Sequence, residues 1–150
     1  FKGRFVLVGD IDLDNPNSIT KVELDNYVSQ GIVEHWGFYD NVSSVIAQAH
    51  IMVLPSYREG LPKSLIEAAA CGRAVITTDV PGCRDAITPN ETGLLIPIKS
   101  HQALVKAVQT LSSNDDVRAE MGKKGRALAE SCFDIADVID IHLSIYEGSV

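Results

Sequence analysis

Two glutamates, Glu59 and Glu67, carry the chemistry that the sequence suggests, and they stand eight positions apart within residues 55–72. Glu67 belongs to an apolar helical run that leaves almost no polar face. A carboxylate in such a helix needs a partner, because burying an unpaired charge is costly. Glu59 lies in the loop after an apolar strand-like run, and open α/β sheets bind ligands at the carboxyl ends of their strands. Both carboxylates are therefore candidates for ligand binding.

The helix start between these glutamates can hold an anion. Pro62 suits the first turn of the helix, because its missing N–H costs nothing there and its φ angle is already helical. The backbone amides of Lys63 and Ser64 then point out of the helix start, where the helix dipole favours a phosphate. Carboxylates on both sides of a phosphate site fit a molecule with hydroxyls on both sides of a diphosphate, which is a nucleotide sugar.

Structural explanations of the same residues stay open. Lys63 and Glu67 are four positions apart on the predicted helix, so they also fit a surface ion pair that contributes a few tenths of a kcal/mol. Glu59 stands beside Gly60 and also fits a solvated turn residue, which is what most loop carboxylates are. The residues taken alone do not choose between these explanations and a ligand role.

Apolar runs of strand length alternate with helical stretches, and this alternation predicts a parallel sheet covered by helices on both faces. The predicted strands cover residues 5–9, 32–36, 50–54, 74–78 and 92–97. The predicted helices cover residues 17–29, 42–49, 62–71, 84–87, 100–111, 115–130 and 134–146. The first helix is expected to take Asn15 as its cap and Pro16 in its first turn.

Two aromatic residues, Phe38 and Tyr39, follow the second predicted strand. They stand at the carboxyl end of that strand, where they are candidates for a wall against a nucleobase. Core packing explains each aromatic side chain equally well.

The composition limits the function classes. A length of 150 residues predicts one domain, residues 1–150, that can bury a proper core. A net charge of −7 argues against a nucleic-acid binder, which would show a basic face. The three cysteines form no C-x-x-C pair and indicate reduced thiols in a cytosolic protein. No apolar run reaches membrane-spanning length, and the first residues show no signal-peptide pattern.

The sequence predicts no metal site and no dinucleotide site. Acidic residues at positions 10, 12 and 14 resemble a calcium loop, but Asn15 and Lys21 stand where an EF-hand needs glycine and glutamate. The histidines are scattered without ligand spacing. The first predicted strand is not followed by the G-x-G-x-x-G pattern that favours a dinucleotide.

Glu59 and Glu67 form an E-x7-E motif within REGLPKSLIEAAACGRAVITTDVPGCRDAI. This stretch resembles the retaining GT-B glycosyltransferases of family 4, especially the bacterial surface-polysaccharide members, and the resemblance runs from FVLVGD to the closing IYEG. It implies a Rossmann-like, donor-binding C-terminal domain whose first strand and helix, like the N-terminal acceptor domain, are absent from this sequence. The chain is therefore expected to be a fragment that is inactive alone, with a final helix that exposes apolar surface.

The resemblance implies roles for the residues around the motif. At the sugar end, Glu59 is the catalytic residue and hydrogen-bonds the donor sugar, while Gly60 and Leu61 place backbone groups close to it. The implied reaction transfers a hexosyl unit to an acceptor hydroxyl, with retention at the anomeric carbon, in polysaccharide or glycolipid biosynthesis.

At the nucleotide end, the resemblance gives the diphosphate to the amides of Lys63 and Ser64 and the ribose hydroxyls to Glu67. It implies a nucleotide-diphosphate sugar as donor, with a UDP-sugar favoured, and no metal ion. It also implies a cytoplasmic protein, and leaves open a peripheral position at the inner membrane face with a lipid-linked acceptor bound by the N-terminal domain. Two alternatives remain: a starch- or sucrose-type synthase with the same motif, and a non-catalytic nucleotide-binding or regulatory module of Rossmann type.

Overall fold

The computed structural model describes residues 3–16 and 18–148. They form two compact units, one up to Val42 and one from Ser43 onward. In chain order the elements are β1 (Val6–Val8), α1 (Lys21–Ser29), β2 (Glu34–Gly37), α2 (Val42–Ile46), β3 (Ile51–Leu54), α3 (Lys63–Ala70), β4 (Ala74–Thr78), α4 (Pro81–Asp85), β5 (Gly93–Ile96), α5 (His101–Ser113), α6 (Asp115–Cys132) and α7 (Ile135–Tyr146).

The first unit contains a parallel pair of strands, β1 and β2, and the helix α1. The predicted cap at Asn15 and Pro16 is wrong, and Asn17, where the predicted helix began, lies outside the described residues. The helix is capped at Thr20, whose side chain accepts from the amide of Glu23 while the Glu23 carboxylate accepts from the amide of Thr20. This capping box satisfies two backbone donors at once, so the helix begins at residue 21. Hydrogen bonds from the Thr20 hydroxyl, first, and from the Thr20 amide lower the pKa of the Glu23 carboxyl.

An ion pair joins the two strands of the first unit at their amino ends. The Arg4 guanidinium donates to both carboxylate oxygens of Glu34, at 2.7 and 2.9 Å, and the Trp36 indole N–H donates to one of them at 3.0 Å. These hydrogen bonds, that of Arg4 foremost, lower the pKa of Glu34. Arginine binds a carboxylate in this forked geometry better than lysine does.

The second unit is built on a parallel sheet in the order β3-β4-β5, with Ile51 paired to Ala74 and Val75 paired to Gly93. All five residues of β4 are buried, so this strand is covered on both faces. One face packs against α5 and α6 around a cluster of six buried side chains: Ala74, Ile76, Ile96, Ala107, Leu111 and Met121. A strand buried on both faces is typical of parallel sheets with helical layers.

The strands pair in two sets, β1-β2 and β3-β4-β5, where the sequence predicts one sheet. The predicted fold class, parallel strands flanked by helices, is confirmed. The expectation that the first strand and helix of the fold lie outside this chain stays a prediction.

Helix α6 approaches α3 closely because glycines face the contact. A Cβ atom on Gly122 would overlap the carbonyl oxygen of Gly72 and lie 2.9 Å from its carbonyl carbon. Gly72 itself ends α3 with a φ angle of 65°, a conformation that favours glycine. The backbone contact lets the helices bury Gly125 and Ala129 of α6 against the neighbouring layer.

The last helix, α7, has no buried residue. Its Ile139, Ile141 and Ile145 side chains are each about half or more exposed, at 49%, 59% and 58%. This exposed apolar surface agrees with the expectation for the final helix. Within residues 3–16 and 18–148, no helix combines the length and the apolar character that crossing a lipid bilayer requires.

Candidate functional site

The loop that carries Glu59 runs from β3 to α3, and two buried threonines of β4 hold its beginning. The Thr77 hydroxyl donates to the carbonyl oxygen of Leu54, the last residue of β3, at 2.9 Å. The Thr78 hydroxyl donates to the carbonyl oxygen of Ser56. Because both threonines lie in the fully buried strand, the loop leaves the sheet from a fixed point.

Two further contacts shape the loop before Glu59. The Ser56 hydroxyl donates to the carbonyl oxygen of Arg58 at 3.3 Å, which closes a local turn. The Lys99 ammonium lies 5.8 Å from the centre of the Tyr57 ring, within the range of a cation–π interaction. Lys99 follows β5 and has a φ angle of 58°. Its contact with Tyr57 brings the segment after β5 to the loop after β3.

The start of α3 is open to an anion. Pro62 is the N-cap residue, one position before the helix and not inside its first turn, with a φ angle of −71°. No side chain caps this end, and its first turn contains no acidic residue. Leu65 N–H donates to the carbonyl oxygen of Pro62 at 3.0 Å, whereas the amides of Lys63 and Ser64 have no hydrogen-bond partner among residues 3–16 and 18–148. Two donors are therefore free where the dipole favours negative charge.

Helix α3 sorts its residues onto two faces. At about 100° per residue, Lys63, Ser64 and Glu67 fall on one side. The buried residues Leu65 and Ala69 fall on the opposite side, where α3 packs into the unit. The side chain of Glu67 thus shares a helix face with those of Lys63 and Ser64, one turn after the helix start, and its role at the ribose stays a prediction.

Neither candidate carboxylate is engaged within the protein. Glu59 and Glu67 are both partly buried. In the part of the chain that the structure describes, neither side chain has an ion-pair or hydrogen-bond partner, and Lys63 is not paired with Glu67. The surface ion pair that the spacing also allowed is not formed. Along the chain, two carboxylates without a partner among the described residues therefore flank the two free amides.

The remaining predicted residues are accessible. Gly60 is exposed and Leu61 is 47% exposed, both between Glu59 and the helix start. Phe38 and Tyr39 follow β2 in the first unit, with 67% and 38% of their surfaces exposed. The exposure of Phe38 excludes core packing for that side chain, while its nucleobase role stays a prediction.

An ion pair that sequence reasoning left without a role lies after β4. Asp79 follows the strand, and the guanidinium of Arg84 in α4 donates to its carboxylate. Asp79 raises the pKa of Arg84 further above its usual range. In the sequence, the corresponding pattern is two opposite charges five positions apart around a Pro-Gly turn. The ion pair between them braces α4.

Two open pockets lie away from the candidate carboxylates. One, of about 310 Å³, is lined by Asn90, Glu91 and residues of the first half of α6. The other, of about 240 Å³, lies between α3 and α6, on the side of α3 that carries Ile66 and Ala70. Neither of these two pockets is lined by Glu59 or Glu67.

Comparison with known proteins decides the family. Residues 4–128 match the family described as glycosyl transferases group 1. The chain belongs to this family. An N,N'-diacetylbacillosaminyl-diphospho-undecaprenol alpha-1,3-N-acetylgalactosaminyltransferase from Campylobacter jejuni is 34% identical over 122 residues, which are 81% of this chain and 31% of the relative. The capsular polysaccharide biosynthesis glycosyltransferase CapM from Staphylococcus aureus is 32% identical over 119 residues, 79% of this chain and 27% of CapM.

Solved structures of glycosyltransferases share the fold. Sucrose-phosphate synthase from Thermosynechococcus elongatus superposes with a TM-score of 0.86 at 28% identity, over 97% of this chain and 38% of that one. HepE from Anabaena, solved in complex with UDP, superposes with a TM-score of 0.85 at 20% identity, over 98% of this chain and 41% of HepE. The predicted group 1 family and the GT-B type of fold are confirmed. The chain spans about a third of the length of the two curated relatives.

Proposed function

We propose that this chain is the donor-binding domain of a retaining glycosyltransferase of family 4. The complete enzyme takes a nucleotide-diphosphate sugar and transfers a hexosyl unit to an acceptor hydroxyl in polysaccharide or glycolipid biosynthesis. One observation carries the proposal: Glu59 precedes and Glu67 follows, along the chain, a helix start with free amides, and neither carboxylate has an ion-pair partner among the described residues. The names of the Campylobacter and Staphylococcus relatives support the reaction class.

At the nucleotide end, the amides of Lys63 and Ser64 bind the diphosphate and Glu67 binds the ribose. A carboxylate accepts hydrogen bonds from two neighbouring hydroxyls, and such charge-assisted bonds are shorter and stronger than neutral ones. The free amides then stabilise the negative charge that grows on the leaving nucleoside diphosphate as the glycosidic bond breaks. These preorganised donors let the proposed reaction proceed without a metal ion, and UDP is the favoured nucleotide, as in the complexes of HepE.

At the sugar end, Glu59 contacts the donor hexose, and Gly60 and Leu61 bring backbone groups close to it. The anomeric carbon gains oxocarbenium character in the transition state, so a nearby carboxylate interacts with it more strongly than with the ground-state sugar. Glu59 is the catalytic residue of the proposal for this reason. The exposed Phe38 and Tyr39 are the candidates for contact with the base.

The acceptor is bound by the part of the enzyme that extends beyond this sequence. The Campylobacter relative is named for a diphospho-undecaprenol substrate, which supports a lipid-linked acceptor. We place the complete protein in the cytoplasm, peripheral to the membrane surface where such an acceptor is presented. A sugar or sugar phosphate is the second candidate acceptor, and the similarity to sucrose-phosphate synthase favours it.

Saturation-transfer NMR on the complete protein tests the donor. Sugars of UDP, GDP and ADP are compared, with NAD as a dinucleotide control and Glu67→Gln as a matched variant. We expect transfer to the ribose and sugar protons of one nucleotide class, displacement by the free diphosphate, and a weaker signal from the variant. Transfer to NAD with none to any nucleotide sugar would instead indicate a nucleotide-binding module of another kind.

A further inference from the structure

A glycine of another element lies directly against the backbone of the Glu59 loop. Gly82, the second residue of α4, is buried, and a Cβ atom at this position would overlap the carbonyl oxygen of Gly60. The same atom would lie 2.7 Å from the carbonyl oxygen of Glu59. Gly82 does not have a positive φ angle, so the backbone conformation does not require glycine. The missing side chain is required by the contact itself.

Helix α4 cannot easily move back from this contact. Its N-cap residue, Val80, is buried, and Val80 N–H donates to the carbonyl oxygen of Thr78 at 2.9 Å. Cys83 and Ala86 have no exposed surface, so the side of α4 next to Gly82 is set in the core. The ion pair between Arg84 and Asp79 braces the exposed side. A side chain at position 82 would therefore displace the loop and not the helix.

We propose that Gly82 is a positioning residue for the donor-sugar end of the site, an inference that rests on the function proposed above. Its bare backbone lets the peptide of Glu59 and Gly60 rest directly on α4. This contact sets the direction of the Glu59 carboxylate and of the Gly60 backbone groups. The three atoms nearest to the added Cβ all belong to Glu59 and Gly60, so Gly82 acts on the sugar end of the site and leaves the helix start in place.

A Gly82→Ala variant of the complete protein tests the proposal through two separate readouts. Displacing a reacting group by about 1 Å costs on the order of a hundredfold in rate. We therefore expect the transfer rate at saturating donor to fall about tenfold to a hundredfold, while the calorimetric affinity for the free nucleoside diphosphate changes less than about threefold. Gly125→Ala is the matched control, because a Cβ at Gly125 meets its nearest atom at 3.6 Å and is expected to leave rate and affinity unchanged.

A double-mutant cycle with Glu59→Ala separates positioning from general damage. If Gly82 acts through Glu59, the Gly82→Ala change lowers the rate much less in the Glu59→Ala background than in the wild type. An unchanged transfer rate in Gly82→Ala would overturn the proposal. So would a double variant whose loss of rate equals the product of the two single losses, because the two residues would then act independently. If the wild-type protein neither binds nor turns over a nucleotide sugar, the result contradicts the proposed function itself. A failure confined to the Gly82→Ala variant contradicts only the proposed role of Gly82.

A milder variant covers the case in which Gly82→Ala does not fold. Asp79→Asn removes the ion pair that braces α4 and adds no atoms next to the loop. It is expected to show the same division, a lower transfer rate with nearly unchanged diphosphate affinity. Loss of diphosphate affinity equal to the loss of rate would mean that α4 supports the whole site, and would overturn a specific role at the sugar end.

Discussion

The hydroxyl of Thr77 donates a 2.9 Å hydrogen bond to the carbonyl oxygen of Leu54, across 23 positions of sequence. Thr77 has no exposed surface, so water does not replace this bond if the hydroxyl is removed. The bond joins the centre of the sheet to the residue from which the Glu59 loop departs. This buried hydroxyl therefore contributes both to the stability of the sheet and, together with that of Thr78, to the position of the loop.

Replacing Thr77 by valine should lower the free energy of unfolding by about 1–3 kcal/mol, the range for leaving a buried acceptor unsatisfied. Valine keeps the shape and the strand preference of threonine, so the lost hydrogen bond dominates the change. Urea denaturation of the complete protein measures it. Thr110→Val on the exposed side of α5 is the control and should stay within about 0.5 kcal/mol of wild type. Equal effects of the two substitutions would contradict the prediction.

Replacing Glu67 by glutamine should weaken nucleotide binding by about 1–3 kcal/mol, the range for hydrogen bonds to charged groups. The neutral amide keeps the size of the side chain but removes the charge that assists two ribose hydrogen bonds. Isothermal titration with the nucleoside diphosphate gives the affinity, and Glu120→Gln in α6 removes the same charge beside Asn90 and Glu91, outside the proposed site. An unchanged affinity in a folded Glu67→Gln protein would leave Glu67 without a binding role.

Removal of Glu59 should affect turnover and not nucleotide affinity. Because its proposed contact strengthens as the sugar becomes oxocarbenium-like, Glu59→Ala is expected to reduce the transfer rate by on the order of a hundredfold or more. The affinity for the free diphosphate should barely change. Initial rates at saturating donor and calorimetry on the same variant provide the comparison. If affinity collapses while the rate survives, Glu59 belongs to the nucleotide end and the two glutamates exchange roles.

Two glycines of α6 should respond in opposite ways to alanine. Gly122→Ala places a Cβ onto the carbonyl oxygen of Gly72 and should destabilise the protein, because neither backbone can yield without separating α3 from α6. Gly125→Ala meets only ordinary contacts and should be neutral or stabilising by up to about 1 kcal/mol, the helix preference of alanine over glycine. Thermal unfolding of both variants distinguishes them, and destabilisation of similar size would argue against the close approach.

The ion pair of the first unit predicts a pH response. Hydrogen bonds from Arg4 and Trp36 lower the pKa of Glu34, so its ionised form is stabilised in the folded state. The stability it contributes is present above the ordinary glutamate pKa of about 4.3 and is lost as the pH falls through the lowered folded value. An NMR titration of the Glu34 carboxyl carbon should give a midpoint below the ordinary value. Arg4→Gln should raise this midpoint, and an unmoved midpoint would exclude Arg4 as the cause.

The sequence predicts the elements and the site residues because both depend on local patterns. β4 agrees with its predicted bounds, since a short apolar run between a glycine-capped helix and an acidic turn leaves little freedom. The start of α1 was misplaced because two capping patterns compete there, and only the one at Thr20 satisfies two backbone donors. The spacing of Thr20 and Glu23 is itself a local signal for a capping box, and it outranks the single cap expected at Asn15.

What the sequence could not provide are contacts between distant segments. Thr77 and Thr78 read as ordinary strand residues, yet their hydroxyls bind carbonyl groups 23 and 22 positions earlier. Gly82 reads as half of a Pro-Gly turn, and its importance becomes visible only when Gly60 is found against it. The two glutamates became candidates because their spacing is a local pattern, whereas the contacts that hold the Glu59 loop join distant segments and leave no such pattern.

During synthesis, residues 55–72 leave the ribosome long before the helix that covers them. The buried residues of α6, from Met121 to Ala129, belong to a helix that packs on α3 and β4. At about 5–20 residues per second, the chain from Glu67 to the end of α6 takes roughly 3–13 s to make. For that interval the part of α3 that packs against α6 has no cover, so the nascent chain exposes this apolar surface until α6 has been made.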